Sequence, residues 1–169
     1  MGMKRTDVPP TWDERATMHT FLAYARATAA AKCEGMSDEA ARRAPLPDSP
    51  LMSVAGLIGH LRWVEHWWFE VVFLGEAERA PWTEESPDKD FEPDPSLSLA
   101  EVVADYTRAC AEIDEKIAGH DLDALSAGKG RHGDHFTLRW VIGHLIEETS
   151  RHNGHLDIVR ELVDGVKGG

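Results

Sequence analysis

The stretch LRWVIGHLIEETSRHNGH, Leu138 to His155, runs on through LDIVRELV, Leu156 to Val163. It reads as one amphipathic helix with a polar stripe set into its apolar side. His144, Glu148, His152 and His155 are spaced four, four and three apart, and residues at those spacings share a helical face. Val141, Leu145 and Val159 lie on that face too, so it should point partly into a core. Three imidazoles and a carboxylate facing a core need a partner, because buried ionisable groups are costly alone. A metal ion supplies one. The bland reading is a solvated polar edge.

Working outward, three more long helices are predicted. The first runs from about Asp13, a cap, to Glu34, with Met18, Phe21, Leu22 and Ala25 inward and Gly35 as its stop. A short helix can start at Ser37, and the proline-rich stretch Pro45 to Pro50 is a linker. The second long helix spans about Ser53 to Gly75, with Leu57, Leu61, Val64, Trp68 and Val72 as its stripe. Arg79 to Ser98 reads as an acidic crossover loop, anchored by Trp82 and Phe91 and otherwise solvated. The third long helix covers about Leu99 to Ala118, and Thr137 caps the fourth, which ends at Asp164 before Gly165. No strand pattern and no repeat emerges. The expectation is an all-α four-helix bundle with one long crossover, a single domain over 1–169 with an extended or disordered N-terminus at about 1–11.

Composition narrows the function. The chain has 169 residues, 42% hydrophobic and 28% charged, as expected of one soluble domain. Its net charge of −12 opposes nucleic acid or an anionic membrane as partner. No apolar run approaches a membrane span, and no signal-peptide core is read at the N-terminus, so the expected compartment is the cytoplasm. Cys33 and Cys110 form no motif and read as buried small hydrophobes. The segment Ala127 to Asp134 places a lysine among glycines, but without the phosphate-loop spacing or a preceding strand.

Glu148 and His152, one turn apart, can bind one ion together, and a third ligand must come from a facing helix. His60 is the best candidate. It sits with Leu57, Leu61 and Val64, and Gly56 and Gly59 allow a close backbone approach. Alone it would read as a hydrogen-bonded core histidine. His66 is the alternative, but it falls away from the apolar stripe. His144 and His155 suit supporting or pocket positions. Trp63, Trp67, Trp68 and Trp140 read as core or interface, and His132 and His135 as solvated loop residues.

These residues resemble the DinB-like metal-binding four-helix bundle superfamily, in the branch related to the N-terminal domain of mycothiol-dependent maleylpyruvate isomerase. The resemblance covers nearly the whole chain to Asp164. It rests on His60 within GLIGHL and on Glu148 and His152 within EETSRHNGH, matching one second-helix histidine and a Glu-x3-His pair on the last helix. The chain stops after the bundle, without the isomerase's C-terminal domain, so the isomerase reaction is not the expectation.

Two imidazoles and a carboxylate leave an open position on Zn²⁺, the pattern of catalytic zinc. Ni²⁺ or Fe²⁺ fits the same donors. The resemblance implies activation of a low-molecular-weight thiol, such as mycothiol or bacillithiol, for transfer to an electrophile in detoxification. The other readings are metal-assisted hydrolysis and a non-enzymatic metal-binding stress or sensor module. A homodimer is also expected, from habits of the superfamily and the many tryptophans.

Overall fold

A computed structural model describes residues 5–168; residues 1–4 of the N-terminal segment read as extended lie outside it. The fold is the expected all-α bundle. Helix α1 spans Glu14–Ala31, α2 Asp38–Ala41, α3 Val54–Glu65, α4 Leu99–Ile117 and α5 Leu138–Asp164. Among the described residues the only extended pairing is an isolated bridge between Leu125 and Thr137.

The caps explain where the helices begin. Asp13 accepts from the Ala16 N–H, Ser53 from Gly56 and Thr137 from Trp140. Ser98 and Glu101 form a reciprocal capping box at α4. Gly165, in the left-handed region at φ 77°, stops α5.

The second long helix differs from a plain α-helix. After Glu65 it changes to a π-helical segment, His66–Phe73, in which the Leu74 N–H donates to the Phe69 carbonyl five residues back. Such segments are rare and frequent at functional sites. A tight turn at Lys89–Phe91 then lies against α3.

Helix α1 packs mainly on α5 and α3 mainly on α4, and α3 also meets α5. Two apolar clusters result. One holds Leu57, Ile58, Leu61, Tyr106, Leu156 and Val159. The other holds Leu22, Phe69, Ile113, Leu138, Ile142 and Leu145. Where the two clusters meet, α1, α3 and α5 each bury a polar side chain: Arg26, Glu65 and Thr149. Arg26 forms a two-pronged pair with Glu65 at 2.7 and 2.6 Å and reaches Asp114 at 2.8 Å. A buried guanidinium needs this much compensation. The bundle therefore carries a polar layer at mid-height, and Glu148 and His152 fall on the α5 turns of that layer.

Candidate metal centre

Helix α3 presents His60 and α5 presents Glu148 and His152. Their donor atoms all lie within 4.8 Å of one another. The His152 Nε2 is 3.1 Å from Glu148 Oε1, and the His60 Nε2 is 3.5 Å from the same oxygen. Ligands at zinc bond lengths in a tetrahedron stand about 3.3 Å apart, so the two spacings bracket what an ion would require. The donor set, two imidazoles and a carboxylate, fits a divalent cation.

The residues around the three prepare them. The His60 Nδ1–H donates to Asp90 Oδ2 at 2.6 Å, which fixes the tautomer and turns Nε2 toward Glu148. Phe91 stacks on the His60 ring at 4.1 Å, nearly parallel. Arg151 donates to Glu148 Oε2 at 2.6 Å and holds the carboxylate from its outer side. The His152 Nδ1 meets the His155 Nδ1 at 3.2 Å, one of the two carrying the shared proton. Partners of this kind orient metal-binding side chains.

Electrostatics agree with the geometry. Hydrogen bonds from His152 and His60 hold the Glu148 carboxyl well below the usual carboxylate range, against its burial. Burial alone would lower the His60 pKa, but the bonds to Asp90 and Glu148 outweigh it and raise it. Burial lowers that of His155, with the His152 charge adding to the effect.

Of the residues singled out in the sequence, His60, Glu148, His152 and His155 come together. His144 does not join them. Its ring stacks on Trp140 at 5.1 Å and meets the edge of Trp68 at 4.7 Å. His66 differs from expectation: it is fully buried. Its Nδ1–H donates to Glu70 at 2.6 Å and its Nε2 accepts the Arg79 backbone N–H at 3.0 Å. The crossover loop covers the side of the second long helix that the apolar stripe leaves polar, so a residue off the stripe is still enclosed. Lys116 and Arg79 also bond Glu70. Burial would raise the Glu70 pKa, but the Lys116 and His66 bonds bring it down to about 2.

Asp90, the partner of His60, is the candidate-site residue that sequence reasoning missed. It is 4% exposed in a loop that reads as solvated. The two α3 glycines reveal how it gets there. A Cβ on Gly59 would stand 2.8 Å from the Asp90 carbonyl oxygen, and one on Gly56 2.7 Å from that of Phe91. The close approach that these glycines permit is that of the loop turn.

Beside His60 opens a cavity of about 1000 Å³. Trp67, Trp68, Trp82, Phe91 and Phe136 form its apolar wall. Trp67 and Trp68 belong to the π-helical segment, and Trp82 to the crossover loop. Trp67 and Trp68 are half-buried and line this space, and Trp68 also packs against the second apolar cluster, as the core reading expects. The Arg131 guanidinium lies over the Trp67 ring at 5.7 Å. Both cysteines are buried, and burial pushes the Cys33 thiol up to about 12 and Cys110 higher still.

Residues 17–165 match a family model described as Mycothiol-S-transferase. No curated protein matches the chain. Among the described residues, no helix is long and apolar enough to cross a membrane.

Proposed function

Because the chain belongs to the mycothiol S-transferase family, we propose that it joins a low-molecular-weight thiol to an electrophile at the His60, Glu148 and His152 centre. The match over 17–165 also supports reading the chain as one domain. The observation that carries the mechanism is the pairing of an oriented donor set, with its carboxylate held ionised, and an aromatic cavity on its His60 side. A divalent ion, Zn²⁺ by its donor set, would supply the Lewis acidity that lowers a thiol's pKa toward neutrality.

The residues do the remaining work. Asp90 keeps the His60 Nδ1 protonated and its Nε2 available, and Arg151 holds the Glu148 carboxylate in place. The aromatic cavity wall offers the acceptor an apolar surface beside His60. In the transfer the thiol sulfur attacks the electrophilic carbon, a C–S bond forms, the leaving group departs with the bonding pair, and the thiol proton passes to solvent. The chain's own cysteines are buried and held as thiols, so the nucleophilic sulfur comes from the bound substrate. Hydrolysis by bound water and a non-catalytic sensor role gain nothing from the family match.

The test is adduct formation by mass spectrometry, with mycothiol, bacillithiol and an electrophile panel. Wild-type protein should form adduct above the spontaneous rate with mycothiol. Chelation or His152→Ala should remove the excess. Ester cleavage with no adduct from any thiol would refute the transferase reading.

A further inference from the structure

The cavity beside His60 has two chemical characters. Its wall is aromatic, with Trp67 and Trp82 meeting edge to face at 6.3 Å and Trp68 and Phe136 at 5.3 Å. Its rim is acidic. Glu78, Glu84, Asp88 and Asp134 line it and are all exposed, against the single guanidinium of Arg131. No ion pair joins any of those four carboxylates among the described residues, although Glu78 accepts from the Trp82 indole N–H at 2.5 Å. The neighbouring Asp90 is itself committed to His60.

We propose that this cavity selects an uncharged, planar aromatic electrophile as the acceptor and discriminates against acceptors that carry a carboxylate. The inference rests on the transferase reading and names its substrate class. Flat rings gain from offset or edge-to-face packing on indole and phenyl walls. A carboxylate entering the same space meets a net excess of negative charge. Rim charges at about 10 Å in water each contribute a few tenths of a kcal/mol, so a net excess of three amounts to a discrimination of about fivefold at low salt. Screening over a Debye length of about 8 Å at physiological ionic strength should shrink it. Trp82 and Glu78 are linked by their hydrogen bond, so one short loop segment carries part of both the apolar wall and the repelling rim.

The experiment separates this inference from the transferase reading by measuring binding without thiol. Quenching of tryptophan fluorescence is titrated with dinitrobenzene and with dinitrobenzoate, on metal-free and zinc-loaded protein. The neutral ring should bind about fivefold more tightly at low salt, with the gap closing as salt is added. Trp82→Ala should weaken the neutral ring, and the double variant Glu84→Gln with Asp88→Asn should narrow the ratio of the two affinities. Equal affinities at low salt, or a ratio unmoved by the double variant, would overturn the charge argument. Failure of both rings to bind would overturn the cavity assignment. In parallel, mycothiol is reacted with chlorodinitrobenzene and chlorodinitrobenzoate. The sulfur displaces chloride, one C–S bond replacing one C–Cl bond and the proton going to solvent. If binding discriminates but no adduct forms with any thiol, the transferase reading falls and the cavity's preference stands.

Discussion

Replacing Gly59 with alanine adds one methyl group, and the structure gives that methyl nowhere to go. In an open helix interior the change would stabilise by up to about 1 kcal/mol. Here the Cβ would sit 2.8 Å from the Asp90 carbonyl oxygen and 3.4 Å from Pro93 Cδ. The first is backbone of the turn and the second belongs to the rigid ring of Pro93 just beyond it, so neither is a flexible side-chain tip. Ordinary contact begins at 3.4 Å, so the turn must retreat by about 0.6 Å. A retreat of that size takes the His60 to Asp90 bond from 2.6 Å to about 3.2 Å, the edge of hydrogen-bond range. His60 then loses the partner that fixes its tautomer. Loss of such a partner costs about ten- to a hundredfold in metal affinity. The assay is zinc competition against a chromophoric chelator, with thermal melts in the presence of chelator. Gly154→Ala is the internal control: it lies in α5 with nothing within 4 Å of its Cβ. That variant should melt higher and bind zinc as wild type does. Gly59→Ala should bind zinc about tenfold more weakly. A Gly59→Ala protein that melts higher and binds zinc undiminished would refute the close-approach reasoning.

Two further outcomes follow from the buried polar groups. The raised His60 pKa means that the metal-free protein gains stability from this proton below pH about 6.5 and loses it as pH rises through the higher folded value. Chelated protein should therefore melt lower at alkaline than at mildly acidic pH, zinc affinity should increase with pH, and zinc binding should release a proton measurable in weakly buffered solution. A pH-independent affinity would contradict this. Arg26→Ala leaves Glu65 buried without its guanidinium and should cost about 3–5 kcal/mol in urea melts, whereas Arg26→Met with Glu65→Leu should recover most of that; equal losses in both variants would show that volume and not charge governs the site.

Much of this arrangement was legible in the sequence because it follows from local rules. The caps Asp13, Ser53 and Thr137 and the stop at Gly165 are short-range chemistry. The four-residue step from Glu148 to His152 fixes their common face, and the stripe around His60 turns it inward. What escaped is long-range. Asp90 meets His60 from thirty positions further along the chain, and no spacing encodes that contact. The glycines at 56 and 59 announced that something approaches α3 but not what. His66 was misplaced because a stripe argument treats the non-apolar side of a helix as wet, whereas here the crossover covers it. The π-helical segment also breaks the regular turn on which the stripe was counted, and no residue spacing announces it.

The crossover segment carries Trp82 in the cavity wall and, eight positions on, Asp90 against His60, and it is pinned at its start where the Arg79 N–H meets His66. Cavity and candidate metal centre thus share one strip of backbone. An acceptor that displaces Trp82 acts on the strip that sets the His60 tautomer, and an ion that draws His60 toward Glu148 acts on the strip that shapes the cavity. Any such coupling free energy is reciprocal: whatever factor the ion adds to acceptor affinity, the acceptor returns to the ion. The enzyme's two ligands would then be read as a linked pair, with occupancy of either one reporting on the other.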